Sequence, residues 1–432
     1  MPPNPIDRIS MPDDETFFRE YVFKRKPVII TNLFEGEEIR QIKSLDDARD
    51  AFGDVRLRIQ TEYSKTVTPV IQTMTFNEYW DFAQAHPSTD LLCSENEIPA
   101  RMMALFKLPA VCYGRDVNED ETLSLPRKYG DHDLLPYLFV ANKGNRAHMH
   151  WDGDHRQVLL YQVFGRKRVL LFQPESSIKL RPLDHKIPFS GLRLEQMVEG
   201  QKRELVDIAD GYCATIHPGE AIYMPMLIWH YLEYTDNAMS FSFRFGRNKY
   251  GRFLCVDNFH RDCYIQNFAS KLADKMVCEQ SYKDAIASVI DEYKKPTANL
   301  EAKVRGMRAL FKKLCAEICP DARLEQYCPP EREREELERI MRDTEQTMRY
   351  ADPKVITQTR PVGPVSPLQK AHIEKLVLTC GYSPETLQRI LSNRTGKTCV
   401  DLLTKAEAAQ FMSYLKSPSA PWGQTAGGAD VT

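Results

Sequence analysis

Between His148 and His155 the chain packs three histidines and two aspartates into eight residues, HMHWDGDH. Imidazoles and carboxylates are metal-ligand groups, and their spacing decides which of them can act together. On an extended strand alternate side chains share a face, so His148, His150, Asp152 and Asp154 are expected to point the same way. A His and an Asp two residues apart can then grip one cation from neighbouring rungs. One further His from a distant strand would complete three ligands on one face of an octahedron. Three positions stay open, which suits a non-haem Fe(II) that must take a co-substrate and dioxygen together. His230, in GEAIYMPMLIWHYLEY, follows a tight Gly and Pro segment and begins a new strand-like run, so it is the expected third ligand. Between the two sites lies GRKRVLLF, where Lys167 follows Gly165 at the head of a strand. A lysine deep in a barrel is costly unless an anion meets it, and a dicarboxylic co-substrate would be such an anion.

The elements that must position these groups are legible as short runs. LLPYLFVAN, QVLLYQVF, KRVLLFQP, GEAIYMP, WHYLEYT and MSFSFRF fall within residues 134–245 and are separated by Gly, Pro, Asp or Asn. Such β-branched and aromatic segments predict a mainly β sandwich or barrel. In MSFSFRF, Met239, Phe241, Phe243 and Phe245 take one face while Ser240, Ser242 and Arg244 take the other, the expected barrel lumen. Upstream, DETFFREYVFKRKPVIITNLF predicts a helix and then, after Pro27, a buried strand over 28–31. From residue 262 the pattern turns helical, and PPEREREELERIMRDTEQTMRY interleaves charges of both signs as a solvated face does.

ADPKVITQTRPVGPVSP, with four prolines in seventeen residues, predicts a linker over 351–366. Three helical segments are expected over 367–417. Ile373, Leu376, Val377 and Cys380 follow helical spacing, Ser383 precedes Pro384 and Glu385 as a helix start, and TKAE at 404–407 is a capping-box pattern. Residues 418–432 are expected to be disordered. With 432 residues, 42% apolar and 27% charged, the chain has room for several folded units. Its net charge of −2 gives no global attraction to nucleic acid or anionic membrane. No apolar stretch of about 20 residues is present, so no membrane span is expected. Eleven cysteines without a CxxC pair, Cys315 and Cys319 among them, suggest reduced thiols and a cytoplasmic chain, or a nuclear one in a eukaryote.

HxD, then a Gly-x-Lys hairpin into RVLLFQP, then GEAIYMPxxxWH, resembles the JmjC/cupin-type Fe(II) and 2-oxoglutarate-dependent oxygenases. The FFREYVFKRKPVIITN opening matches them too. The resemblance covers roughly residues 15–250 and is nearest the branch of the factor-inhibiting asparaginyl hydroxylase and the tRNA wybutosine hydroxylase. It implies a double-stranded β-helix (jelly-roll) barrel with flanking helices over residues 1–260, to which the helical patterns add an extension over 261–350 and a small three-helix module. It also implies Fe(II) held by His150, Asp152 and His230, with Lys167 pairing the distal carboxylate of 2-oxoglutarate, and dioxygen as the oxidant.

Where that branch has asparagines near the iron, this chain has Gln157 and Arg244, and a threonine three residues before the first ligand is Ala147 here. Gln157 and Arg244 are therefore the expected co-substrate contacts, Arg244 being either that, a contact to an anionic substrate, or a salt bridge. His148 is a pocket neighbour or a structural residue, and Trp151 and Tyr231 are expected to be packing residues rather than substrate contacts. The implied substrate is macromolecular, a protein side chain first and a base of tRNA or DNA second. Demethylation shares the chemistry, and a non-catalytic metal-binding cupin is the competing class. Residues 261–350 are expected either to mediate a homodimer or to cover one barrel end. Residues 367–417 resemble the helical unit of some DNA-annealing proteins, so Lys370, Lys375, Arg389, Arg394, Lys397, Lys405 and Lys416 form either a nucleic-acid patch or a solvated bundle surface.

Overall fold

The computed structural model describes residues 4–22, 24–61, 70–86, 91–113, 134–152, 156–181, 189–245 and 363–416, with isolated positions at 281, 284–285, 309, 313–314 and 316–318. The expected helical extension, apart from those isolated positions, lies outside the described residues, as do the tail, Asp154 and His155.

Five strands precede the site-bearing region: β1 (Asp7–Ile9), β2 (Val28–Ile30), β3 (Arg56–Thr61), β4 (Val70–Thr75) and β5 (Leu91–Glu97). Eight more follow: β6 (Leu135–Ala141), β7 (Arg146–His150), β8 (Gln157–Phe164) and β9 (Lys167–Phe172), then β10 (Tyr212–Ile216), β11 (Ala221–Met224), β12 (Trp229–Tyr234) and β13 (Ala238–Phe245). Among the described residues they form a nine-stranded sheet, β1-β2-β11-β8-β13-β6-β5-β3-β4, and a four-stranded sheet, β10-β9-β12-β7. The last eight strands divide between the two sheets, β6, β8, β11 and β13 in the large one and β7, β9, β10 and β12 in the small one. Antiparallel strands that alternate between facing sheets in this way make the expected jelly roll.

One apolar cluster fills the space between the sheets, with Val158, Leu160, Val169, Leu171, Ile222 and Leu232 among its members. A larger one covers the outer face of the large sheet, where Leu159, Tyr161, Phe241 and Phe243 meet Phe17, Phe52, Phe76 and Phe106. The helices on that side are α1 (Asp14–Phe17), α2 (Leu45–Phe52), α3 (Phe76–Ala85) and α4 (Ala100–Met103). Strand β8 is thus covered on both faces, which is why QVLLYQVF is apolar nearly throughout and buried at every position. Strand β13 alternates as expected: Met239, Phe241, Phe243 and Phe245 join the outer core, leaving Ser240, Ser242 and Arg244 to the lumen.

The β8–β9 hairpin turns at Gly165, which has φ +69. A Cβ there would sit 2.1 Å from the carbonyl oxygen of Asn237, so only glycine fits and Lys167 emerges at a fixed place.

A fifth helix, α5 (Glu199–Ile208), precedes β10, and three close the described chain: α6 (Pro367–Thr379), α7 (Pro384–Thr395) and α8 (Lys405–Lys416). Ser383 caps α7 ahead of Pro384, and Thr404 and Glu407 cap α8 reciprocally. The end of the expected linker is held, since Pro364 bridges to Thr404 and Ser366 caps α6.

These three helices are docked on the barrel domain. Their apolar core takes in Ala100 and Ala104. The buried Asn393 amide donates to the carbonyls of Met103 and Phe106 at 2.9 and 2.6 Å and accepts from the Leu108 N–H at 3.0 Å. Arg394 pairs with Glu97 at 2.7 Å, both side chains buried, and the Tyr414 hydroxyl donates to the Ile98 carbonyl at 2.8 Å. Arg389 reaches Glu37 at 3.3 Å, Lys370 pairs with Asp401 and Lys397 with Glu407. Four of the seven basic residues weighed as a patch or a solvated surface are therefore spent on internal ion pairs. No helix among the described residues is long and apolar enough to cross a membrane.

Candidate metal centre

His150 ends β7 and His230 lies at the start of β12, and the antiparallel register sets the two directly opposite each other. The same register pairs Leu232 with Ala147. Two residues of β7, His148 and Met149, therefore stand opposite one residue of β12, Tyr231. This bulge corrects the expectation of a single row of ligands: Ala147 packs with the lumen cluster and His150 faces His230, while His148 leaves the row. Its Nδ1 lies 3.7 Å from a Glu195 carboxylate oxygen instead.

His150 and His230 are oriented by the same device. Nδ1 of His150 donates to the carbonyl of His148 at 2.6 Å, and Nδ1 of His230 to that of Ile228 at 3.0 Å. A carbonyl only accepts, so the proton is assigned to Nδ1 and each Nε2 presents a lone pair. The imidazole centroids are 4.2 Å apart, and Nε2 of His150 lies 3.7 Å from Oδ1 of Asp152. One ligand atom from each of His150, Asp152 and His230 falls within 4.8 Å of the others.

Protonation states suit a cation. Burial, with His150 beside it, pushes His230 down to about 4, so its imidazole is neutral at physiological pH. Burial alone would raise Asp152, but Arg244, then His230 and His150, outweigh it and bring the carboxyl down to about 2. Two imidazoles, that of His230 neutral, and one ionised carboxylate on one face are a donor set that fits ferrous iron.

Lys167 shares the lumen face with them. It pairs in register with Tyr234, as Leu171 does with His230, so about 13 Å of strand separates it from the triad. The ammonium is buried, donates to the Ser240 hydroxyl and lies 4.2 Å from the Tyr234 ring centre and 5.8 Å from that of Phe139. Among the described residues no carboxylate pairs with it, and burial pushes it down to about 7. A buried ammonium in that state is an anion site in want of an anion.

Gln157 is corrected. It lies on the same side of β8 as Leu159 and Tyr161, which belong to the outer core, and not in the lumen. Its amide oxygen accepts from the Tyr223 hydroxyl at 2.7 Å and from the Met226 N–H at 3.0 Å, bracing the strand. Arg244 does face the lumen, but it meets Asp152, at 3.4 Å, and Glu95, at 3.0 Å, with its guanidinium over the Tyr137 ring. Trp151 and Tyr231 are buried, Trp151 edge-on to Trp229. Three neighbours were not foreseen: Ser240, although the alternation in MSFSFRF offered it, Glu95, and Phe189, which stacks on His150 at 5.5 Å.

A facing-sheet jelly roll with His, Asp and His converging from β7 and β12 is now in view, and the family profile of the cupin-like domain matches residues 14–248, more than half of the 432 residues. The chain belongs to the cupin-like domain family. One of the relatives it matches carries a Jumonji C name. The chain is 31% identical over 140 residues to the fruit fly (Drosophila melanogaster) Jumonji C domain-containing protein 5, a match covering 32% of this chain and 33% of that protein. It is 22% identical over 271 residues to the zebrafish (Danio rerio) tRNA wybutosine-synthesizing protein 5, covering 58% of this chain and 76% of that relative. The match therefore spans about a third of the first relative's length and about three quarters of the second's. In this cupin-like barrel the triad occupies one end of the lumen and Lys167 stands deeper along the same face.

Proposed function

We propose that this cupin-like barrel is an Fe(II)- and 2-oxoglutarate-dependent oxygenase that hydroxylates a C–H of a macromolecule, a protein side chain before a nucleic-acid base. One observation carries the proposal: a triad of two imidazoles and a carboxylate shares a lumen face with a buried lysine that has no anionic partner among the described residues. Charge counting agrees. Glu95 offsets Arg244, so a dication with Asp152 leaves one positive charge, and a dicarboxylate would balance it together with the charge that Lys167 takes up on pairing. A non-catalytic cupin that binds metal has no use for that lysine.

In this scheme His150, Asp152 and His230 hold the metal, the two carbonyl-anchored imidazoles keeping Nε2 aimed inward. Lys167, steadied by Ser240, holds the far carboxylate, and the apolar lumen of Val169, Leu171 and Leu232 excludes water. Fe(II) with 2-oxoglutarate bound supplies the activation of dioxygen that converts C–H to C–OH, with succinate and carbon dioxide released. The nucleic-acid alternative is supported by the name of the zebrafish relative, whereas the basic helices lend it little, because so many of their charges are already paired. A homodimer through residues 261–350 is part of the proposal, and light scattering on the full chain tests it.

Purified protein with Fe(II) and 2-oxoglutarate is expected to release succinate only when oxygen is present. His150→Ala and Asp152→Ala should each abolish release while circular dichroism stays unchanged. Full turnover by either variant would overturn the assignment. Comparing proteins and RNA from cells with and without the gene, by mass spectrometry, identifies the substrate class as the one that gains a single oxygen.

A further inference from the structure

The two oxygens of Asp152 face different partners. Oδ1 lies 3.7 Å from Nε2 of His150, on the side where a cation would sit, while Oδ2 lies 3.4 Å from Nη2 of Arg244. The same Nη2 is 3.0 Å from Oε1 of Glu95, and the guanidinium sits 5.2 Å from the Tyr137 ring centre. Arg244 is mostly buried, so its direction is set by β13 and by these groups rather than by solvent.

Glu95 is held in place at some cost. It has φ +52, a left-handed conformation that non-glycine residues rarely adopt, at an irregularity in β5 between Cys93 and Asn96. The neighbouring Asn96 pins that bulge, its amide oxygen accepting from the Arg58 N–H at 2.8 Å and its amide nitrogen donating to the Arg58 carbonyl at 3.0 Å. At this bulge the Glu95 carboxylate meets Arg244.

A guanidinium beside a metal-binding carboxylate has two opposed effects. By occupying one oxygen it keeps the carboxylate from chelating through both, which preserves an open position on the ion. By its charge it repels the ion. A second carboxylate on the far side of the guanidinium removes the repulsion and leaves the orientation. We infer that Arg244 and Glu95 are a positioning pair for Asp152: Arg244 restricts it to ligation through a single oxygen, and Glu95 neutralises Arg244 so that the cation is not repelled. This rests on the proposed metal-binding role of His150, Asp152 and His230.

Cobalt(II) titration of the full chain, followed by its visible absorption, tests the pair without any turnover. Glu95→Gln is expected to weaken cobalt binding about tenfold at low ionic strength, less at high salt, with the spectrum unchanged. Arg244→Met is expected to alter the spectrum toward a more filled coordination sphere and to abolish the effect of Glu95→Gln in the double variant. If Asp152→Ala removes cobalt binding but neither the affinity of Glu95→Gln nor the spectrum of Arg244→Met changes, the positioning pair is wrong and the metal site stands. If cobalt binds Asp152→Ala as it binds the unsubstituted chain, the metal assignment fails and the pair with it. Should Arg244→Met not fold, Glu95→Gln, a change at a half-exposed side chain, decides the matter alone.

Discussion

Lys167 is the residue whose ionisation most repays measurement. Burial brings it down to about 7 from an ordinary lysine value of 10.5. Between those two values the unfolded chain binds more protons than the folded one, so its contribution to stability rises with pH across that window and levels off above it. Binding a dicarboxylate should reverse the shift, because the charged ammonium then has a partner. The expected outcome is proton uptake on 2-oxoglutarate binding at pH 8, seen by calorimetry in buffers of differing ionisation enthalpy. A binding heat independent of the buffer would exclude Lys167 as the contact. Lys167→Met should weaken 2-oxoglutarate about a hundredfold or more, the scale for removing one partner of a buried charge pair, and leave thermal stability unchanged or higher.

At the level of elements, what was legible was local. The alternation in MSFSFRF assigned Arg244 to the lumen, and the Gly165 hairpin announced where Lys167 would emerge. Ser383 and the TKAE box marked the starts of α7 and α8. The bulge in β7 was not legible, because an extra residue in a strand shows only against the strand it pairs with, and here that partner lies some eighty residues downstream. Gln157 failed for a related reason: parity on β8 is set by pairing with β11 and β13, and one step along the strand exchanges lumen for outer core. Glu95 could not be foreseen, since nothing near it in the chain signals Arg244.

Two element-scale outcomes follow. Gly165→Ala should be strongly destabilising, because φ +69 and the Asn237 carbonyl leave no room for a Cβ, and loss of stability in urea with weaker 2-oxoglutarate binding would report it. Asn393→Leu should cost about 2–5 kcal/mol in the same assay, since it strands a buried N–H and two buried carbonyls. A change below about 0.5 kcal/mol would mean that water replaces the amide without loss.

For the whole molecule, the last described helices are a wall of the barrel domain. They seat against Glu97 and Ile98, at the end of the strand that carries Glu95, and against the α4 segment beneath the outer core. Removing residues 363–432 is expected to lower the melting temperature by roughly 10 °C, which is what a few kcal/mol amounts to in a domain of this size. Unchanged melting would mean that these helices only rest on the surface.

The order of biosynthesis gives this docking a further meaning. Asn393 closes on Met103 across 290 positions of chain, and Tyr414 on Ile98 across 316. At about 5–20 residues per second, a ribosome needs roughly 15–60 s to deliver the second partner after the first has emerged. Throughout that interval the nascent barrel carries a bare trough beside β5, open to chaperones and to misassembly with another unfinished copy.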